Sequence, residues 1–363
     1  MAPLSVAMRQ NNLTRLLAPG FFVLWGCAVL LGDKAVCDEP EQKFTFEAVE
    51  MGTLFRITLF ASDEKAAGAA SMAARQRVEE LNATLSDYLP ESEINQLSSM
   101  SGQGKAVHVG DDLWNVLAFS QDIARKTDGA FDVTVGPLVK TWKHARRLEK
   151  MPAPELIARM LARVGYKKML LDPAHHTVEL LVPEMHLDVG GMAKGYAVDE
   201  ALKVLKKHGV TRALVAAGGD IAGSDPPPGE SGWRIMITPL DAEGAPPSRF
   251  VMLRNSAVST SGDTHLRVEI DGVRYSHIVD PRTGVGITDH SLVSVLAPDC
   301  TTTDLLETTV TVLGPERGLK LIEGTPRTAA YIVRKPGEKV EMFETSRWTE
   351  LAGKDTGGKP SHD

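Results

Sequence analysis

Two segments of this chain carry residues whose types and spacing can do chemistry. The first is YSHIVDPRTG, residues 275–284, which sets His277 three residues ahead of an Asp280-Pro281 turn. The second is TTTDLLETTVTVLG, residues 301–314, in which Asp304 and Thr308 stand four apart. It reads as a helix start capped by Thr, so both oxygens project from one helical face and can hold a hard metal ion. An imidazole has an ordinary pKa of about 6.5, which makes His277 the natural proton acceptor near neutrality once the chain brings it alongside that helix. A histidine, a hard metal and no evident nucleophile suggest phosphoryl chemistry.

These groups need a scaffold. Residues 44–50 and 54–60 alternate like two strands joined at Met51-Gly52-Thr53, and residues 63–85 follow as an Ala-rich amphipathic helix. A helix over 111–127 stops at Asp128-Gly129, and a shorter one spans 154–164. Strands are expected near 168–171, 177–181 and 185–189, then a helix over 195–208 that closes at Gly209. Beyond it lie strands at 213–217, 233–238, 250–253, 267–270, 292–296, 328–333 and 340–345, interrupted by helices at 303–313 and 315–322. Without a regular βαβ period and with several apparent hairpins, the fold class is α+β, a largely antiparallel sheet with packed helices.

The 363 residues suffice for one large domain or two modest ones, and 43% hydrophobic content supports a real core. A net charge of −7 supplies no basic field, so nucleic acid is not an expected partner. The N-terminus has Arg9 and Arg15, an apolar run over 21–31 and polar residues from Asp33 onward. That is signal-peptide architecture, too short for a comfortable membrane span. Leu24-Trp25-Gly26-Cys27 is an imperfect lipoprotein box, and Ala35-Val36-Cys37 offers small residues for ordinary cleavage, so soluble and lipid-anchored forms both stay open. The division is a leader over 1–37, one domain over 38–352 and a Gly-, Lys- and Asp-rich disordered tail over 353–363. Cys27, Cys37 and Cys300 cannot build a disulfide framework, and Cys300 reads as a packing residue.

Four further segments have both a plain and a chemical reading. In residues 129–137, GAFDVTVGP, a turn presents Ala130 and Phe131 and a strand start carries Asp132; such a loop lets backbone approach a planar ring while a carboxylate fixes polar edges. Taken alone it is a helix stop with a core Phe. Residues 187–195, LDVGGMAKG, run from a strand through a glycine turn into a helix with Lys194 in its first turn, where amides and a positive helix end can face a pyrophosphate; the plain reading is tight packing. Residues 216–220, AAGGD, look like a phosphate loop but lack the helix and Lys of one, and read as a structural turn shaping the pocket. Residues 259–262 offer hydroxyls with no nucleophile elbow around Ser261.

Together, Met51-Gly52-Thr53, Ser86-Asp87-Tyr88 with Ser92-Glu93-Ile94, residues 129–137, residues 187–195 and the stretch from His277 to Thr308 resemble the ApbE-like flavin transferases across roughly residues 44–348. The resemblance implies an ApbE-like fold with its active site in a cleft between two lobes. It implies Mg²⁺-dependent transfer of FMN from FAD to a threonine of a target flavoprotein, with release of AMP, and FAD consumed as substrate. By the same resemblance, Met51, Tyr88, Ala130, Phe131, Asp132, Asp188, Lys194 and Ile278 contact FAD. The Gly191 carbonyl, Asp304 and Thr308 hold the metal, and His277 is the base. Hard oxygen donors suit Mg²⁺, and zinc is disfavoured without a His or Cys cluster. The acceptor is expected to be a subunit of a membrane redox complex and the location the periplasm or the periplasmic face of the inner membrane. Two alternatives stay open: an FAD pyrophosphatase that uses water as nucleophile, and an exported flavin-binding protein without catalysis.

Overall fold

The computed structural model describes residues 41–262 and 267–353. The expected leader with Cys27 and Cys37, and the tail beyond Gly353, lie outside the described residues. The chain opens with the hairpin β1 (Gln42–Glu50) and β2 (Thr53–Ala61), followed by α1 (Glu64–Leu85) and α2 (Glu93–Ser99). After β3 (Val107–His108) come α3 (Asp111–Thr127), α4 (Gly136–Leu148), α5 (Pro154–Leu161) and the short strands β4 (Met169–Asp172) and β5 (Thr177–Leu180). Next are α6 (Ala193–Lys207), β6 (Ala213–Ala217), β7 (Asp220–Gly223), β8 (Trp233–Ile237), β9 (Arg249–Leu253) and β10 (Ser256–Gly262). β11 (Arg267–Ile270), β12 (Val273–Ser276), β13 (Ser291–Ala297), α7 (Cys300–Gly324), β14 (Ala329–Arg334), β15 (Glu341–Glu344) and α8 (Trp348–Ala352) complete it.

Among the described residues, eight strands form one sheet in the order β1-β2-β6-β7-β10-β13-β14-β15, each neighbour antiparallel. The pleat sends alternate residues to opposite faces. Along β13, Val293 and Val295 join the core beneath the helices, whereas Leu292 and Leu296 join a second core with Trp233, Tyr331 and Trp348. β13 is therefore buried throughout. The same period places Ala257 on the helix side of β10 and Ala222 on the helix side of β7. Polar Ser259 and Asp220, two residues from them and paired across β10 and β7, face the helices too.

The α+β class stands, and the helix over 111–127 and the strands 213–217 and 267–270 have the expected bounds. Four local expectations are corrected. Asp132 starts no strand: it lies in a turn that leads into α4, whose Gly136-Pro137 start suits a helix because Pro is favoured in the first turn. Residues 185–189 form no strand, contributing only a parallel bridge from His186 to Val135. The cap of α7 is Asp299, which accepts from the Thr302 N–H at 2.8 Å, and not a threonine. α2, β3, α4, β7, β10, β12 and α8 appear where no element was expected. The expected break between helices 303–313 and 315–322 survives as a kink, with Gly314 at φ 72 inside α7.

α6 crosses α7 at Gly195, where a Cβ would meet the Cys300 carbonyl oxygen and come within 2.8 Å of the Asp304 Cβ. One turn later on α6, Asp199 accepts from the backbone N–H groups of Cys300 and Thr301, each at 2.8 Å, satisfying two of the free donors at the start of α7. The contact admits no side chain at Gly195. Gly195→Ala should lower stability by about 3 kcal/mol through overpacking. Gly68→Ala, on α1 with nothing within 4 Å of the added methyl, should be neutral or slightly stabilising. Urea unfolding midpoints of the two variants check this; equal midpoints would show that the crossing has slack.

Candidate active site at the crossing of two helices

Asp304 is fully buried on α7 and reaches α6: its Oδ2 accepts from the Gly195 N–H at 2.9 Å and lies 3.2 Å from the Lys194 ammonium. Lys194 also contacts Asp220, at the start of β7, at 2.9 Å and the Gly190 carbonyl at 3.4 Å. Burial, together with the Asp220 charge, pushes the Asp304 pKa up to about 7 against the opposing pull of Lys194. Burial acts against the Lys194 charge, but Asp304 and Asp220 outweigh it and hold the lysine above its ordinary pKa. Glu307, one turn along α7, is buried as well, and burial with the neighbouring Asp304 and Asp220 charges raises its pKa well above the carboxylate range. Asp220 and Glu307 are the functional candidates that sequence reasoning missed. The i, i+3 spacing of Asp304 and Glu307 was a usable signal; nothing local pointed Asp220 at Lys194.

Three separate segments meet beside this cluster. A Cβ on Gly191 would stand 3.2 Å from the Phe131 ring and 3.2 Å from Thr308 Oγ1, so the glycine turn lies between them. Phe131 and Ala130 are buried. Asp132 has both oxygens engaged inside the protein: Oδ1 accepts from the Thr134 N–H and hydroxyl at 2.9 and 2.7 Å, and Oδ2 from the Tyr166 N–H at 2.6 Å. It holds the loop that presents Phe131. Asp188 is tied to the same loop through its N–H, which donates to the Val133 carbonyl at 2.8 Å. Its carboxyl accepts from the Gly190 N–H at 2.9 Å, and burial, aided by the Asp87 charge, raises its pKa.

Met51 occupies the β1–β2 turn at φ 49, half-buried against the main core. The turn adjoins the β6–β7 turn that leads into Asp220, since a Cβ on Gly218 would be 3.2 Å from Thr53 Oγ1. Tyr88 is 74% exposed, with the Lys143 ammonium 4.3 Å from its ring centroid and that lysine 3.0 Å from Asp87. His277 and Ile278 are half-buried just after β12. Their loop is pinned from both sides: the Ser276 N–H donates to the Ile287 carbonyl and the Ile287 N–H to the Ile278 carbonyl, at 2.7 and 2.9 Å. The Trp142 indole N–H donates to the Gly284 carbonyl at 2.8 Å, fastening this loop to α4, the helix that follows the Phe131 loop. A cavity of about 720 Å³ along α4 and α5, lined by Lys140, His144, Met160 and His186, includes none of the residues expected to act.

The donors at the crossing suit a hard divalent cation. Three buried acids face one ammonium, so the cluster is deficient in positive charge when they are ionised. Among the described residues, Glu307 Oε2 is buried with no hydrogen-bond partner. Asp304, Thr308 and the carbonyls of the glycine turn are oxygen donors, as Mg²⁺ requires. Among the described residues no three His, Cys, Asp or Glu side chains form a metal cage, so a bound ion would draw its other oxygens from backbone, substrate or water.

The sequence profile of the ApbE family matches residues 51–332. The FAD:protein FMN transferase of Escherichia coli strain K12 is 30% identical over 324 residues, covering 85% of this chain and 91% of that protein. That of Haemophilus influenzae is 29% identical over 310 residues, covering 83% and 89%. The apo crystal structure of the Pseudomonas stutzeri flavinyl transferase ApbE matches with a TM-score of 0.76 at 29% identity, over 87% of this chain and 98% of that one. The matched region holds the Met51 turn, the Phe131 loop, the glycine turn and the helix crossing, and on that ground the chain belongs to the ApbE family.

Proposed function

We propose that the protein is an FAD:protein FMN transferase that moves FMN from FAD to a threonine hydroxyl of an acceptor flavoprotein and releases AMP. The observation that carries this reading is the juxtaposition of Phe131, Gly191 and Thr308 beside the Lys194, Asp304 and Asp220 cluster. A flavin dinucleotide needs both an apolar platform and a charge-compensated place for its pyrophosphate. The buried Phe131 loop, with Tyr88 and Met51, offers the first. The start of α6, which has no side-chain cap, offers the second together with Lys194.

Asp304, Thr308 and the Gly191 carbonyl are the groups that would hold Mg²⁺. When bound, Mg²⁺ neutralises pyrophosphate charge and polarises the phosphorus nearer riboflavin. Asp304 is kept in place by the Gly195 N–H, and Lys194 shares its charge between the acids and the pyrophosphate. His277 takes the proton from the acceptor threonine as its oxygen forms a bond to the FMN phosphorus and the bond to the AMP oxygen breaks. The pinned loop at 276–287 limits how far the imidazole can stray. The apolar run at 21–31 supports export, and the resemblance to the family implies an acceptor on the periplasmic face of the membrane, as a subunit of a redox complex. No helix among the described residues is long and apolar enough to cross a membrane.

Two substitutions test this reading with FAD, Mg²⁺ and a candidate acceptor, by following acceptor intact mass and free FMN together. Asp304→Ala should lower FMN transfer by roughly 10²-fold or more while the fold survives, since ion-assisted charge stabilisation contributes several kcal/mol. A wild-type rate with unchanged Mg²⁺ dependence would remove Asp304 from the site. His277→Ala should slow transfer about 10²–10⁴-fold with FAD affinity largely kept. Normal turnover at raised FAD would make His277 a binding residue. Free FMN and AMP without acceptor labelling would identify the enzyme as a pyrophosphatase.

Lys194→Met should cost stability as well as activity, by about 3 kcal/mol, because it strands buried acids without their counter-charge. The folded-state pKa of Asp304 is raised above its unfolded value, so its contribution is present at low pH and is lost as pH rises through about 7. Without Lys194 that rise is larger. The melting deficit of the variant should therefore be greater at pH 8.5 than at pH 6; a deficit independent of pH would mean that Lys194 acts by packing alone.

A further inference from the structure

Glu307 is a buried acid that the transfer chemistry above does not use. It is 6% exposed, three residues after Asp304 and directly before Thr308 on α7. Its Oε1 accepts the Thr308 hydroxyl proton at 3.1 Å. Among the described residues its Oε2 has no hydrogen-bond partner of good geometry; the Ser261 hydroxyl lies near enough to the carboxyl to oppose the rise in its pKa without satisfying that oxygen. A buried oxygen left this way costs on the order of 1–3 kcal/mol, and more when charged. A chain that keeps one carries a cost that packing does not explain.

The neighbouring threonines show what Thr308 does differently. Thr309 and Thr311 give their hydroxyl protons to the helix carbonyls one turn back, of Leu305 at 2.7 Å and of Glu307 at 2.9 Å, the usual habit of threonine in a helix. Thr308 gives its proton to the Glu307 carboxyl instead. A hydroxyl has one proton and two lone pairs, so the direction of the proton sets where the lone pairs point. The Thr308 oxygen faces the glycine turn, 3.2 Å from the position of a Cβ on Gly191.

We infer that Glu307 is a positioning residue of the cation site: it holds the Thr308 proton so that this hydroxyl presents only lone pairs to the ion, and it adds negative charge beside Asp304. The inference rests on the reading of Asp304 and Thr308 as cation ligands. When all three are ionised, Glu307, Asp304 and Asp220 together exceed the charge of Lys194 by the two units a divalent ion supplies. Partners that orient a metal ligand typically contribute 10–100-fold to metal affinity.

The test is Mn²⁺ binding to the purified protein without FAD, followed by the electron paramagnetic resonance of free Mn²⁺. Glu307→Gln keeps an acceptor for Thr308 but removes the charge, and should weaken binding about 10-fold; Glu307→Ala removes both and should weaken it about 100-fold. Metal-free Glu307→Gln should melt at or above the wild-type temperature at pH 8, because a buried acid with an unpartnered oxygen is gone, and should lose most of the stabilisation that Mn²⁺ gives the wild type. Asp304→Asn is the control. Abolished binding in the control with wild-type affinity in both Glu307 variants overturns the role of Glu307 and leaves the Asp304 reading standing. Wild-type affinity in the control as well overturns both. If Glu307→Ala fails to fold, Glu307→Gln decides. A Glu307→Gln protein that melts well below wild type and binds Mn²⁺ normally shows Glu307 to be structural, and the inference fails.

Discussion

The site depends on one steric constraint, the contact of α6 with α7 at Gly195. With no side chain there, the backbone of α6 approaches α7 closely enough for the Gly195 N–H to donate directly to Asp304. Everything else at the crossing follows from that approach. Asp199, one turn on, reaches the free amides at the start of α7, and Lys194, one residue before, meets Asp304 from the other side. A methyl group at Gly195 would separate the helices and disengage all three contacts together.

The sheet supplies the remaining geometry. Asp220 opens β7 and faces the helices because its parity matches that of Ala222, whose side chain joins the helix-side core. β10 continues the same face with small hydroxyl residues, and Ser259 lies 2.7 Å from Thr303 of α7. Small side chains along β10 let α7 sit close to the sheet, bringing Asp304 and Glu307 down toward Asp220. The Phe131 and His277 loops are fastened to this frame by their own bonds. Asp132 and Trp142 spend their polar groups holding the Phe131 and His277 loops, on either end of the same connection through α4.

Concentrating buried acids around one lysine is unfavourable for stability and useful for binding. Each acid has lost its hydration, and proximity raises the cost of ionising the next. Such a cluster is poised to take up positive charge. The unpartnered oxygen of Glu307 is the local trace of this compromise.

Much of the fold was legible in local sequence pattern. Alternation marked the β1–β2 hairpin, and the αL stop at Asp128-Gly129 marked the end of α3, because each signal depends only on near neighbours. The family motifs likewise named the loops that meet at the crossing. Local pattern misread Asp132 as a strand start and passed over the helix that begins at Gly136-Pro137, and it misread residues 185–189, whose apolar alternation serves a loop that packs without a strand partner. It passed over β7 and β10, which are short or rich in small polar residues and are held by their partners in the sheet. By itself, then, the sequence determined the periodic elements, the stops between them and the residues able to do chemistry. Only the tertiary structure decided that Asp220, Lys194 and Asp304 share charge, since those contacts join β7, α6 and α7 across a packed core and have no period along the chain.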